Sequence, residues 1–208
     1  MTILEPDFDR LIDLPGAGLT PRPVEIDGRA TGFDDLLSLH IDELADGAVI
    51  EGAAAEEVLL VLLAGAIAVD VTHPAAMTVL LDADGDWGLH LPPGSAWRLR
   101  PQTPATLAQA AARPGPPFAP KALRPTDGAL LLDGPQGNLR LHLHPLDGEA
   151  YVAPEFDEGL ERLLHFSGPA RVDRRELPPM HTLALLPGER ARATGDGEML
   201  ALAALRRG

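Results

Sequence analysis

The chain has 208 residues, a formal net charge of −14 and no cysteine. The negative charge argues against binding to nucleic acid or to an anionic membrane surface, because the phosphate groups of both would repel it. Without cysteine there are no disulfides or thiolate metal sites, and no apolar run reaches the ~18–20 residues that cross a bilayer, so we expect a cytoplasmic protein.

Short strands are the predicted elements of the first half. Glycine and proline number 21 each, which favours short strands over long helices. Residues 58–63 form an apolar run that ends at a glycine turn, the pattern of a buried strand. Further strands are predicted over residues 67–71, 77–81, 88–91, 96–99 and 105–112, although residues 107–112 also have helical propensity.

A proline-rich segment over residues 113–120 separates the two halves. Because proline cannot donate to a sheet ladder, we expect a boundary here. The predicted organisation is an N-terminal domain over 1–112, a linker over 113–126 and a C-terminal domain over 127–208. The strand pattern restarts after the linker, over residues 129–132, 139–144, 160–166, 170–172, 182–186, 190–194 and 199–205.

The two halves resemble each other in sequence. Residues 39–47 are similar to residues 141–148, and residues 61–65 are similar to residues 163–168. In both halves a strand follows, and then a Leu-Pro turn with a glycine, beginning at Leu91 and at Leu186. An internal repeat of short strands indicates two stacked or fused β-barrels.

This arrangement resembles a bicupin, a chain of two jelly-roll barrels, and it is most similar to the 5-deoxy-glucuronate isomerase family of inositol catabolism. The resemblance is carried by residues 57–65, by residues 91–94 with the alanine-rich strand and linker that end at residues 123–127, and by residues 137–142 and 157–161. It implies an all-β fold of two small jelly-roll (double-stranded β-helix) barrels and a metal held by three histidines and a glutamate. Acidic barrels of this kind commonly pair through their sheets, so we expect a homodimer. The HutD-type proteins of histidine utilisation are an alternative family, although their Trp-Lys-Asn-Gly-Gly-Gly opening is missing here.

The first half departs from the cupin metal motif. The motif G-x5-H-x-H-x(3,4)-E-x6-G, laid from Gly47, puts Ala53 and Ala55 at the histidines, and counting back from Gly65 puts Val58 at the glutamate. The third histidine position falls on Trp97. We therefore expect an apolar space in which Trp97 either fills the barrel or forms a flat wall for a bound ligand.

The second half departs in the same way. Laid from Gly148, the motif puts Pro154 and Phe156 at the histidines and Glu161 at the glutamate, and the last histidine position falls on Ala191 or Arg190. We therefore expect no metal cofactor. The alternative is a divalent metal such as Mn, Zn or Fe, held by a rearranged set of ligands.

Glu161 and His165 are the candidate catalytic residues. If residues 160–166 form a strand, both side chains point to one face, which in a cupin looks into the barrel. A buried carboxylate beside an imidazole can act as an acid–base pair or as half of a metal site. The alternative is a structural hydrogen bond or a solvated rim position.

Two further groups of polar residues have competing interpretations. His142 and His144 form an H-x-H pair that can chelate a metal, but they precede Gly148, so an exposed or dimer-interface face is expected. Glu51, Glu56 and Glu57 could hold a hard cation, but three acids near a turn are typical of a solvated edge.

Arg190 and Arg192 are candidate ligand-binding residues, together with Trp97. If they point inward, they can clamp a carboxylate bidentately near Glu161. If they point outward, they are ordinary charges on a sheet face, and a slip of one residue in register decides between the two.

Three functions follow from these patterns. The first is a degenerate bicupin that binds a small organic, sugar-acid-like ligand without metal catalysis. The second is an aldose–ketose isomerase acting on a uronate such as 5-deoxy-glucuronate, which would make the protein an enzyme. The third is a structural or regulatory interaction protein without a small ligand.

Overall fold

The structure is a computed structural model that describes residues 1–132, 136–146, 151–152 and 160–205. The described chain is almost entirely antiparallel β-structure, so the prediction of an all-β fold is confirmed. Its one helix is a single turn, α1 (Gly28–Thr31), which Asp27 caps through the N–H groups of Arg29 and Ala30. Among the described residues no helix is long and apolar enough to cross a bilayer.

Thirteen strands precede the second half. They are β1 (Thr2–Leu4), β2 (Leu11–Leu14), β3 (Gly18–Pro21), β4 (Val24–Asp27), β5 (Leu36–Leu44), β6 (Ile50–Ala53), β7 (Glu57–Ala64), β8 (Ile67–His73), β9 (Met77–Leu81), β10 (Gly88–Leu91), β11 (Ala96–Pro101), β12 (Ala105–Ala112) and β13 (Lys121–Leu123).

The described part of the second half adds the remaining strands. They are β14 (Leu130–Leu132), β15 (Leu139–Pro145), β16 (Tyr151–Val152), β17 (Glu161–Phe166), β18 (Ala170–Val172), β19 (Arg175–Leu177), β20 (Thr182–Leu185), β21 (Arg192–Gly195) and β22 (Glu198–Ala204).

The strands form four main sheets and one hairpin. Inner sheet 1 has the order β13-β10-β7-β12-β5-β4, and outer sheet 1 has the order β6-β11-β8-β9. Inner sheet 2 has the order β1-β20-β17-β22-β15-β14, and outer sheet 2 has the order β16-β21-β18-β19. Strands β2 and β3 pair only with each other.

These sheets stack in four layers around three apolar cores. Inner and outer sheet 1 enclose one core and form the first sandwich, and inner and outer sheet 2 enclose another and form the second sandwich. The two six-stranded inner sheets pack face to face around the third, the central core. Each inner sheet is therefore buried on both faces. In β7, for example, Leu60 points into the first sandwich and Leu59 into the central core.

Most of the predicted strands are present. Residues 107–112, whose propensity also allows a helix, form part of β12, because this strand lies inside inner sheet 1 and pairs with β5 and β7 on its two sides. The ladder on both sides outweighs local propensity. The sequence analysis predicted no strands before residue 58. It therefore missed β1 to β4, which are short strands at sheet edges and in the hairpin, and also β5 and β6.

The predicted domain boundaries stay a prediction. Strand pairing crosses them at two places. The N-terminal β1 pairs with β20 in inner sheet 2, and β13, within the expected linker, pairs with β10 in inner sheet 1.

Candidate functional site

Two arginines face the inside of the second sandwich from the strands on either side of β22. Arg140 on β15 lies opposite Ala203, and Arg162 on β17 lies opposite the same alanine. Because residues directly opposite each other in antiparallel strands share a face, the three side chains form one row. The next row along is His142, Ala201 and Leu164. Leu164 and Ala201 belong to the core of the second sandwich, which fixes the direction of this face.

The side chains of these two rows enclose a narrow pocket, here called the arginine pocket. Its lining includes Arg140, His142, Arg162, Leu164, Ala201 and Ala203, and the cavity between them measures about 10 Å3, the room of a single water molecule. The small alanines of β22 lie between the longer side chains of β15 and β17. The pocket is therefore a small, nearly filled space with basic and imidazole groups on its walls.

Both guanidinium groups are withdrawn from solvent. Arg162 is 2% exposed and Arg140 is 7% exposed. Arg162 donates from Nη2 to the carbonyl oxygen of Glu189, and Arg140 donates from Nη1 to the carbonyl oxygen of Leu139 at 2.7 Å. An arginine keeps its charge even when buried, so the pocket holds two fixed positive charges at low local dielectric.

The first sandwich has different residues at the equivalent positions. There Ser38 and Val58 lie opposite Ala111, where the second sandwich has its two arginines opposite Ala203. The apolar core of the first sandwich is filled instead, and Trp97, 4% exposed, is part of it. Trp97 packs so closely over Gly52 that a Cβ at that position would lie 2.4 Å from the indole. This placement agrees with the interpretation in which Trp97 fills the barrel.

The expectation that Ala53 and Ala55 line the space with Val58 is wrong. Val58 is buried, whereas Ala53 and Ala55 are exposed. The expected ligand positions Pro154 and Phe156 of the second half lie outside the described residues.

Glu161 and His165 do not look into the second sandwich, contrary to the sequence-based expectation. They alternate with Arg162 and Leu164 along β17 and so share the face of Leu163, which belongs to the central core. Four residues of extended strand separate them by roughly 13 Å. The expected acid–base pair is therefore not formed.

Each of the two residues has its own partners. The Glu161 carboxylate accepts hydrogen bonds from the backbone N–H groups of Asp34, Asp35 and Leu36 at 2.6, 2.7 and 2.8 Å. His165 Nδ1 lies 3.0 Å from Thr182 Oγ1, and its Nε2 has no hydrogen-bond partner among the described residues. Burial, and then the nearby His181, lower the pKa of His165 to about 4, so the ring is neutral near pH 7.

A second buried carboxylate was missed, and the expectation that Glu57 belongs to a solvated edge is wrong. Glu57 is fully buried, and its Oε1 lies 2.8 Å from His90 Nε2. It also accepts from the N–H groups of Asn138 at 2.6 Å and Leu139 at 2.7 Å. Burial raises the pKa of the Glu57 carboxyl, but the hydrogen bonds from His90, Leu139 and Asn138 outweigh that effect, so its pKa lies below the ordinary value.

The neighbouring residues hold the Glu57–His90 pair in place and leave room for it. The His90 ring stacks on Phe118 with a centroid distance of 4.0 Å and an interplanar angle of 24°. Gly137 has a φ of +71°, and a Cβ there would lie 2.4 Å from Glu57 Oε1. The glycine is needed for both its conformation and the close approach of the carboxylate.

Glu57 is the structural equivalent of Glu161. Each is the first residue of its strand and lies opposite the last alanine of the neighbouring strand, Ala112 for Glu57 and Ala204 for Glu161. Counting back from Gly65 had put Val58 at this position. The pairing of β7 with β12 shifts register by one residue near Leu107. β7 therefore contains one residue more than the motif allows, and counting back from Gly65 stops one residue too early.

The remaining candidate residues are also placed by strand alternation. Ala191 and Ala193 are buried, while Arg190 and Arg192, which alternate with them, are exposed, so the inward orientation considered for these arginines is wrong. His142, expected on an exposed face, lines the arginine pocket instead. Within the described ranges, no three His, Asp or Glu side chains are grouped so as to hold a metal ion.

Comparison with known proteins identifies the fold. No family model matches the chain, and no curated protein matches its sequence. Among solved structures, protein Ylba from Escherichia coli, of the DUF861 family, matches with a TM-score of 0.75 at 14% identity over 99% of this chain and 91% of that chain. YhhW from Escherichia coli matches with a TM-score of 0.66 at 15% identity over 99% of both chains.

An IolB-like protein from Salmonella typhimurium also matches, with a TM-score of 0.64 at 15% identity over 89% of this chain and 90% of that chain. These structures are of the cupin type, so the chain has a cupin-type jelly-roll fold, as predicted. At identities this low, the likeness shows the fold alone. The closer relation to bicupins and to 5-deoxy-glucuronate isomerases stays a prediction.

Proposed function

We propose that this cupin-type protein binds a small organic acid in the arginine pocket of its second sandwich, without metal catalysis. The observation that carries the proposal is the placement of Arg140 and Arg162 opposite the same small residue, Ala203. Two guanidinium groups that face a common gap form a recognition site for an anion. A guanidinium fork matches the geometry of a carboxylate and can hold it through two parallel hydrogen bonds.

The rest of the pocket supports the same class of ligand. His142 adds a ring nitrogen to the wall, and Leu164 offers apolar surface to a short carbon chain. Burial of both arginines strengthens their attraction for a carboxylate, because water screens a buried charge only weakly. Because the cavity measures only about 10 Å3, binding requires the arginine side chains to move apart, which favours an acid with few carbon atoms.

A uronate isomerase remains the second candidate function. The similarity in fold to an IolB-like protein supports it. The separation of Glu161 from His165 along β17 counts against it. An isomerase assay with uronates and added Mn, Zn or Fe tests this candidate, and turnover that depends on Glu161 would favour it over simple binding.

A structural or interaction role is supported for the first sandwich. Its interior is filled by apolar side chains, including Trp97 and Leu99. The two sandwiches therefore differ in what they offer a ligand, and the binding proposal concerns the second one only.

A panel of acids tests the binding proposal. We expect oxalate, malonate or D-glucuronate to raise the thermal unfolding midpoint of the protein, and the uncharged amide malonamide to leave it unchanged. R140K and R162K keep the positive charge but lose the fork, so both should lose most of the shift. R98K is the matched control, because Arg98 is an exposed arginine that pairs with Glu51 on the first sandwich. An equal shift in R162K and R98K would count against the site.

A further inference from the structure

Two carboxylates connect the halves of the molecule in opposite directions. Glu57 of the first half accepts the N–H groups of Asn138 and Leu139 in the second half, and we call this contact clasp 1. Glu161 of the second half accepts the N–H groups of residues 34–36 in the first half, and we call this contact clasp 2. Each clasp joins the start of one strand to backbone at the start of a strand in the other half.

Clasp 1 leads directly to one of the pocket arginines. The N–H group of Leu139 donates to Glu57 Oε1 at 2.7 Å, and the carbonyl oxygen of the same residue accepts from Arg140 Nη1 at 2.7 Å. Leu139 is thus held by Glu57 on one side and holds the Arg140 guanidinium on the other. Leu139 therefore connects the Glu57 carboxylate to the Arg140 guanidinium.

Clasp 2 lies next to the other pocket arginine. Glu161 immediately precedes Arg162 in β17, and its carboxylate is fixed by three short hydrogen bonds from the first half. Because alternate residues of a strand point to opposite faces, anchoring Glu161 in the central core fixes the backbone from which Arg162 enters the pocket.

We propose that the first half of the chain is a positioning scaffold for the arginine pocket, with Glu57 and Glu161 as positioning residues for Arg140 and Arg162. The inference rests on the proposed binding function and adds to it the source of the pocket's geometry. His90 contributes to clasp 1, because its Nε2 lies 2.8 Å from Glu57 Oε1 and its ring stacks on Phe118. The first half thereby acts on a site that it does not line.

The two clasps can be tested separately, because each is expected to position a different arginine. In E57Q and E161Q the side chain stays the same size, but the new amide nitrogen cannot accept a backbone N–H. We expect E57Q to expose Arg140 and E161Q to expose Arg162. Labelling with phenylglyoxal, followed by peptide mass analysis, measures the reactivity of each arginine without any ligand.

The expected result is an increase of about tenfold in the labelling rate of the arginine that follows the altered clasp, with a much smaller change at the other arginine. Malonate should bind roughly tenfold more weakly to each variant, a loss typical of misplaced recognition groups. L99A, in the core of the first sandwich, is the control for destabilisation without a broken clasp. It should leave both labelling rates near those of the unaltered protein.

A variant that does not fold is replaced by a milder one. E57D shortens the side chain by one methylene, and H90Q removes the ring while leaving Glu57 its two backbone contacts. Unchanged Arg140 labelling in a folded E57Q or E57D would overturn the positioning role. Equal exposure of both arginines in every variant, including L99A, would also overturn it, because that pattern reports general loosening.

The proposed binding function and the positioning role can be contradicted independently of each other. If malonate and the other acids do not bind the unaltered protein, the proposed function fails, while the crossed labelling pattern still decides whether the clasps position the arginines. If acids bind and the clasp variants bind them equally well, the positioning role fails and the binding function stands.

Discussion

Arg140 and Arg162 enter the second sandwich from the two strands that flank β22, and both lie opposite Ala203. The equivalent row of the first sandwich is Ser38, Ala111 and Val58. Equivalent pairs of sheets therefore enclose a basic pocket in the second half of the molecule and a filled apolar core in the first half.

Filling the gap between the arginines should block binding without removing charge. A203L places a larger side chain at a site that is 4% exposed, and overpacking of this kind costs about 1–3 kcal/mol. We expect the variant to fold and to lose binding of malonate in a calorimetric titration. A111L, at the equivalent position of the first half, is the control and should bind normally. Normal binding by A203L would show that the ligand lies elsewhere.

The Glu57 carboxylate should make stability depend on pH. Its pKa in the folded protein lies below the ordinary value of 4.5. Its contribution is therefore fully present above about pH 4.5 and is lost as the pH falls through the folded pKa. E57Q should be less stable than the unaltered protein by about 1–3 kcal/mol near pH 7, because a buried N–H loses its acceptor.

Urea unfolding at a series of pH values from 7 to 3 measures this effect. The difference in the free energy of unfolding between the unaltered protein and E57Q should shrink as the pH falls below 4.5. A difference that stays constant over this range would contradict the assignment of Glu57 as an ionised, hydrogen-bonded carboxylate.

His165 should produce a pH effect in a higher window. Its pKa falls from 6.5 to about 4 in the folded protein, so the unfolded chain binds the proton more tightly between these two values. Stability should decrease as the pH falls from about 6.5 towards 4, by about 3 kcal/mol in total. The double variant H165V/T182V removes both partners of the hydrogen bond.

The double variant should show a clearly smaller decrease; part of the decrease remains because burial also lowers the pKa of His40. Measuring unfolding between pH 6.5 and 5 separates the effect of His165 on stability from that of Glu57, because the effect of Glu57 begins only below about pH 4.5. If the unaltered protein and H165V/T182V lose stability equally over that interval, the neutral buried state of His165 is wrong.

Gly137 should tolerate substitution less well than Gly128, a glycine of similar φ in an open position. G137A must accept a φ of +71° and a Cβ 2.4 Å from Glu57 Oε1. G128A faces a similar φ of +75° with no atom within 4 Å. The backbone alone costs about 1–2 kcal/mol in each variant, and we expect G137A to lose clearly more because clasp 1 is displaced. Equal midpoints of urea unfolding for the two variants would contradict this.

Most strands after residue 58 were predictable, but the faces of the inner strands were not. Residues 58–63 are apolar throughout because β7 is buried in the first sandwich on one face and in the central core on the other. A strand buried on both faces has no polar alternation from which its orientation can be read. The same packing places Glu161 and His165 in the central core and Arg162 in the pocket, the reverse of the expected orientation.

Glu57 shows a second limit of prediction from the sequence, since its partners are distant in the chain. Locally it is one of three acids near a turn, and its partners Asn138 and Leu139 are about 80 residues away in the chain. Comparison of the two halves could have found it, since Glu57 and Glu161 begin equivalent strands. The added residue in β7 shifted that comparison by one, and only strand pairing reveals the shift.

Calorimetric titration of malonate and oxalate into the unaltered protein, R140K and R162K tests the central claim most directly. We expect saturable binding with one site per chain in the unaltered protein. Both lysine variants should bind at least tenfold more weakly, because the bidentate contact is lost. Absence of binding to the unaltered protein by these acids and by D-glucuronate, or equal affinity in all three proteins, would contradict this claim.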